Sequence, residues 1–82
     1  MIEERVREVI AAHGRLTVDI ATLSDEDDLY RAGLTSHASV NLMLALEDEF
    51  GIEFPEQLLR RQTFESVAAI SASLAQLAES SV

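Results

Sequence analysis

Cysteine and lysine are both absent from this sequence of 82 residues. Without cysteine the chain cannot form disulfides, bind a metal through thiolates or use a cysteine nucleophile. Any thiol chemistry must therefore come from an attached group. Positive charge is confined to six dispersed arginines, which form no basic stripe that could release counterions from a phosphate backbone, so we expect no nucleic-acid binding.

Long apolar runs are also missing. No run approaches the roughly 18 residues that a membrane-spanning helix needs, and residues 1–5 are charged rather than signal-like. We therefore expect no membrane span, no signal peptide and a cytoplasmic location. Two distant histidines and an acidic cluster at 25–28 lack the spacing of a metal or calcium site, so no metal is expected.

Acidic residues are abundant. Fifteen of them against six arginines give a formal net charge of −9, which steers a protein toward basic partner surfaces and favours a soluble monomer. Hydrophobic residues make up 48% of the chain, enough for a folded core. A chain of this length accommodates one domain that buries about 60% of the unfolded chain's surface, so residues 1–82 are predicted to form one domain.

Apolar residues at helical spacing predict an all-α domain, a small four-helix bundle with three longer helices and one short helix. The first helix is predicted over about Ile2–His13, ended by Gly14, and the second over about Ser36–Phe50, ended by Gly51. The residues predicted to face the core from these two helices are Ile2, Val6, Val9, Ile10, Ser39, Leu42, Met43, Leu46 and Phe50.

The C-terminal third is predicted to hold the other two helices. Pro55 suits the first turn of a short helix over 56–61. Thr63 is predicted to cap a last helix over about 64–79, and the doublet Arg60-Arg61 is expected to pair with nearby acids. The residues of the last helix predicted to face the core are Val67, Ile70, Leu74 and Leu77.

A loop of about twenty residues, 15–35, separates the first two helices and shows no sustained period. Loops of this length in compact domains are often functional. Its spaced apolar residues predict that it is pinned over the core, with a helical turn near 28–32. These apolar residues are Leu16, Val18, Ile20, Leu23 and Leu29.

One hydroxyl, that of Ser36, is delivered by a glycine-containing turn to the start of the second helix. Free backbone N–H groups and the helix macrodipole favour negative charge there, so a phosphodiester on Ser36 would be stabilised. Serines and threonines at this position more often cap the helix. Position alone leaves both roles open for Ser36, and Thr35 is a second candidate for the cap.

The residues around Ser36 form a longer pattern. It consists of Asp28-Leu29, Gly33-Leu34-Thr35-Ser36, Val40, Leu42, Leu46-Glu47, Glu49-Phe50-Gly51-Ile52-Glu53-Phe54-Pro55, and later Thr63-Phe64 with Val67. This pattern closely resembles the acyl carrier protein family over essentially the whole chain. The resemblance implies a non-catalytic four-helix carrier, on which a phosphopantetheinyl transferase attaches 4′-phosphopantetheine from coenzyme A to Ser36. The arm's thiol would carry an acyl or aminoacyl unit.

Two departures from the family pattern flank the serine. The usual Asp-Ser-Leu is here Thr35-Ser36-His37, which removes one charge and replaces an apolar docking contact with a titratable donor. We therefore expect a specialised set of partners. The residues predicted to form the partner-docking face are Thr35, His37, Val40, Leu44, Glu47 and Asp48.

Three functions remain open from the sequence. The first is a freestanding acyl carrier in a fatty-acid or related pathway, with downstream acyl-processing enzymes as partners. The alternative is an aminoacyl or peptidyl-type carrier, charged by an ATP-dependent ligase with a basic docking surface. The third is a helical adaptor that is never modified. Ser36 and His37 are no catalytic dyad, because adjacent helical residues point about 100° apart.

Overall fold

Three α-helices, α1 (Ile2–His13), α2 (Ser36–Phe50) and α3 (Val67–Ser80), form the frame of the computed structural model, which describes residues 2–80. Between these limits no strand forms, and the prediction of an all-α fold is confirmed. The predicted bounds of the first two helices are confirmed as well. No helix within residues 2–80 has the length and apolar character to cross a membrane.

One face of each helix builds the core. From α2 the buried side chains are Ala38, Leu42 and Leu46, each one helical turn after the last. The predicted stripe included Ser39, which is only half-buried, and omitted Ala38. The other predicted core positions are confirmed as buried or as partly buried against the core: Ile2, Val6, Val9, Ile10, Met43, Phe50, Val67, Ile70, Leu74 and Leu77.

The predicted glycines do end the first two helices, but by different means. Gly51 adopts the left-handed conformation (φ 64°), and its N–H donates to the Glu47 carbonyl. After α1 the left-handed residue is Arg15 (φ 52°) rather than Gly14. Gly14 is needed for space instead, because a Cβ there would lie 2.8 Å from the Ile10 carbonyl oxygen.

The long loop is held against the core, as predicted, and Arg7 of α1 makes several of the contacts that hold it. Its guanidinium donates to the carbonyls of Ile20 (2.9 Å) and Leu23 (2.8 Å) and forms a 2.7 Å ion pair with Asp25. The loop contains a 3₁₀ turn over Ile20–Thr22 that the sequence did not predict.

Hydrogen bonds and apolar contacts hold the rest of this loop. The Ala32 N–H donates to the Asp28 carbonyl at 3.2 Å, which confirms the predicted helical turn. The Leu29 N–H donates to the Glu65 carbonyl at 2.7 Å, tying the loop to the start of α3. One of the apolar residues expected to anchor the loop does not do so: Val18 is 45% exposed. The others are Leu16, Ile20, Leu23 and Leu29, which pack into or against the core.

The predicted short helix over 56–61 forms only in its first half, as a 3₁₀ turn over Glu56–Leu58. A second 3₁₀ turn follows over Arg61–Phe64. The chain must bring Phe54 and Phe64 together, since both are buried and their ring centroids are 5.3 Å apart in an edge-to-face arrangement. Arg60, between the two turns, has extended backbone (φ −147°, ψ 162°), so the chain changes direction there instead of continuing as one helix.

The prediction that Thr63 caps the last helix is also wrong. Thr63 is buried within the second 3₁₀ turn, and α3 begins three residues later than expected, at Val67. The capping hydrogen bond belongs to Ser66, whose Oγ accepts from the Ala69 N–H at 3.0 Å. Because Phe64 is drawn into the core by Phe54, the chain is still turning where the sequence pattern places the first helical residues.

Candidate functional site

The start of α2 divides two roles between neighbouring hydroxyl residues. Thr35 has extended backbone and is the N-cap, its Oγ1 accepting from the Ala38 N–H at 3.0 Å. Ser36 is therefore the first helical residue, exposed to solvent, and its hydroxyl is not the capping group. Of the two roles left open by position, the cap is assigned to Thr35 and the Ser36 oxygen is left accessible.

A tight turn places Ser36 at this point. Gly33 has a φ of 112°, and a Cβ on it would lie 2.8 Å from the backbone nitrogen of Thr17. Thr17 in turn donates both its backbone N–H and its hydroxyl to the Ala32 carbonyl, each at 2.9 Å. The chain entering α2 is thus fastened to the beginning of the long loop, and this fixes the position of the serine.

A cavity of about 410 Å³ lies beside Ser36, within the size range of small-ligand sites. Its apolar walls are Val40, Met43, Leu59 and Phe64. Its polar lining consists of Tyr30, Ser36, Ser39, Arg60 and Arg61. Sequence reasoning missed this cavity because one wall comes from residues 59–64, whose packing depends on the Phe54–Phe64 contact.

Tyr30 and Arg61 form a pair in the cavity wall that sequence reasoning also missed. The Arg61 guanidinium carbon lies 3.9 Å from the centroid of the Tyr30 ring. The Tyr30 hydroxyl donates to the Arg61 carbonyl at 3.3 Å. Burial raises the pKa of the Tyr30 phenol, while the Arg61 charge acts in the opposite direction. Arg61 therefore has an aromatic partner, where the sequence suggested a carboxylate.

The residues predicted for docking lie on α2 or cap it, but their surroundings differ. Val40 and Leu44, one and two turns after Ser36, are each 53% exposed, as apolar side chains of a contact surface would be. His37 is exposed as well. Asp48 is exposed but lies toward α1, where it lines a smaller pocket with Val9 and His13.

Glu47 has a structural role within the chain. It is half-buried, and its Oε2 accepts from the Phe54 N–H at 2.8 Å. This bond holds the segment after α2 in place and satisfies an N–H that would otherwise lack a helical or sheet partner. A docking function for Glu47, and for the other five residues named above, stays a prediction.

The chemistry of the site suits a phosphate ester on Ser36. The hydroxyl is accessible, it stands at the N-terminus of a 15-residue helix, and the first turn of that helix contains no acidic residue. Within residues 2–80, no three histidine, aspartate or glutamate side chains gather where they could hold a metal ion.

Comparisons with known proteins agree with this geometry. A family model described as the phosphopantetheine attachment site matches residues 4–78. The chain is 52% identical, over 65 residues, to the aminoacyl carrier protein of Agrobacterium fabrum, an alignment that spans 79% of this chain and 78% of that protein.

Solved structures give the same picture. The chain is similar (45% identity, TM-score 0.90) to a chain in the crystal structure of an engineered Bradyrhizobium japonicum glycine:[carrier protein] ligase with a carrier protein from Agrobacterium tumefaciens and ATP. The match covers 93% of this chain and 99% of that one. A chain from the complex of the B. japonicum ligase with glycylated carrier protein matches at 27% identity and a TM-score of 0.74, covering 87% and 95%.

Proposed function

This chain belongs to the carrier proteins with a phosphopantetheine attachment site, and from that membership we propose that Ser36 is the attachment residue. Members of this family are not enzymes but substrates of transferases and ligases. Their covalently attached 4′-phosphopantetheine supplies the reactive thiol that this cysteine-free chain lacks.

The structure supports Ser36 through three independent properties. Its oxygen is accessible, because Thr35 takes the capping bond. Its place at the start of α2 favours a negative charge. The fixed turn at Gly33 presents it to an approaching transferase without any need to unfold the loop.

We further propose that the cargo is an amino acid, loaded by an ATP-dependent amino acid:carrier protein ligase. The observation that carries this proposal is the 52% identity to an aminoacyl carrier protein. The likeness to a carrier protein crystallised with a glycine:[carrier protein] ligase supports it further. The aminoacyl alternative is therefore favoured over the fatty-acyl carrier that the family resemblance first suggested.

A charging assay tests the cargo. The phosphopantetheinylated protein is incubated with ATP and either a glycine:[carrier protein] ligase with glycine or an acyl-carrier ligase with a fatty acid. We expect glycine to add to the intact mass and the fatty acid not to, with the reaction without ATP as the control. Loading by the fatty-acyl ligase alone would reverse the proposal.

Leu44 is proposed to contact the loading ligase, as part of an exposed apolar surface with Val40. We expect Leu44→Asp to lower kcat/KM for charging about tenfold or more, equivalent to about 1.4 kcal/mol, because it places a charge in a desolvated contact. The matched control is Ala75→Asp, which adds the same charge at an exposed position of a different helix, α3.

Circular dichroism of both variants should match that of the wild type, since Leu44 is half-exposed and Ala75 is exposed. Equal charging rates for the two variants, whether both fall or neither does, would contradict a specific contact at Leu44.

A further inference from the structure

We propose that Arg61 binds the phosphodiester on Ser36 in the cavity that both residues line. This inference rests on the proposed attachment at Ser36 and adds to it a second group that recognises the phosphate. Its first support is that the cavity beside Ser36 is lined by Arg61 and by its stacking partner Tyr30.

Arg61 is held at both its backbone and its side chain. The Tyr30 hydroxyl donates to the Arg61 carbonyl, and the Tyr30 ring lies under the guanidinium at 3.9 Å. A cation fixed in this way loses little side-chain freedom when it binds an anion, so less of the interaction is offset by ordering. Arg60 also lines the cavity, but among residues 2–80 no comparable contact fixes its guanidinium.

The stacking leaves the donors of Arg61 available. A guanidinium that packs its flat face on an aromatic ring keeps its five N–H groups pointing outward in the ring's plane, in the fork geometry that matches phosphate oxygens. The other arginines with charged partners are engaged elsewhere: Arg5 pairs with Glu49 and Arg7 with Asp25. The positive charge of Arg61 therefore lies in the wall of this cavity.

The phosphate needs such a partner in this chain. With a net charge of −9, the protein's field opposes one more negative charge, and the helix N-terminus offsets this only locally. Arg61 is a positively charged residue lining the same cavity as Ser36, and opposite charges there attract each other, the more so at low salt. A phosphodiester on the Ser36 oxygen would stand at the rim of this space.

The experiment compares how modification changes stability in wild-type and variant proteins. Apo and phosphopantetheinylated forms of the wild type, Arg61→Gln, Arg61→Lys and Arg31→Gln are prepared, and intact mass establishes that each is fully modified. Thermal midpoints of all forms are then measured at low and high salt. Arg31 is the matched control, since it is exposed and lines a different pocket.

We expect modification to raise the midpoint more in the wild type than in Arg61→Gln, by about 3 °C at low salt. Arg31→Gln should behave as the wild type, Arg61→Lys should retain part of the difference, and high salt should reduce it. In the wild type, the Arg61 Nε–H resonance should shift on modification.

The outcomes separate the two proposals. If the wild type gains no mass, attachment itself fails and the proposed function with it. A second outcome is that the wild type is modified, its Arg61 resonance does not shift, and modification changes its thermal midpoint by the same amount as that of Arg61→Gln. This outcome overturns the role of Arg61 and leaves the attachment standing. Should Arg61→Gln resist modification, the resonance of the modified wild type decides alone.

Discussion

Replacing Ser36 by alanine is expected to abolish phosphopantetheine attachment and, with it, all cargo loading. The effect should be complete rather than partial, because the variant lacks the oxygen on which we propose that the phosphodiester forms. The fold should be unaffected, since the Ser36 side chain is exposed and the capping bond of α2 comes from Thr35. The measurement is the intact mass after incubation with coenzyme A and a transferase of broad specificity.

Ser24→Ala is the control for this experiment. Ser24 is also an exposed serine, but it lies in the long loop, away from a helix start. We expect this variant to gain the same mass as the wild type. Attachment that persists in Ser36→Ala would move the site to another hydroxyl, and a wild type that gains no mass would support the unmodified adaptor.

Leu42→Ala is expected to lower the free energy of unfolding by about 2–5 kcal/mol, the range found when a fully buried leucine is truncated. Leu42 has no exposed surface and lies between Ala38 and Leu46 on the face of α2 that packs into the core. A domain of this size has a total stability of about 4–12 kcal/mol, so the loss is a large part of it. Urea unfolding followed by circular dichroism measures the change.

Leu44→Ala makes the same chemical change two residues later on the same helix. Leu44 is 53% exposed, and its truncation should cost less than about 1 kcal/mol because little buried surface is lost. Comparing the unfolding free energies of Leu42→Ala and Leu44→Ala therefore tests which face of α2 is buried. Similar losses for the two variants would show that α2 does not present Leu42 to the core and Leu44 to solvent.

The first two helices were predictable because their signals are local. The apolar stripe of α1 and the glycines at 14 and 51 lie within a few residues of the boundaries they mark. The predicted turn at 28–32 has the same local origin, a backbone hydrogen bond across four residues. Where a boundary is set by nearby residues, the sequence pattern was sufficient to place it.

The segment from 56 to 66 was mispredicted because its course depends on a distant contact. Phe54 and Phe64 meet across ten residues of chain, and this packing replaces the expected helix by two turns. It also delays the start of α3, so that Ser66 caps the helix in place of Thr63. Nothing in the local pattern of hydroxyl and apolar residues distinguishes these two possible caps.

In the candidate site, too, the features set by neighbouring residues were predictable and those set by distant contacts were not. The serine proposed for attachment and its capping neighbour were both candidates from the pattern around Gly33, and the structure assigns the cap to Thr35. The cavity, the Tyr30–Arg61 stack and the hydrogen bond from Phe54 to Glu47 were not, because each joins residues that are brought together only by the packing of the bundle.

The capping bond of Thr35 has a consequence for the life cycle of the protein. If Ser36 were the cap, esterifying its oxygen would weaken the hydrogen bond that starts α2, at a cost of about 1 kcal/mol. With Thr35 in that role, the bond to Ala38 does not involve the Ser36 oxygen, and we expect it to persist when that oxygen is esterified. We therefore expect an enzyme that adds or removes an arm at Ser36 to leave the start of the helix intact.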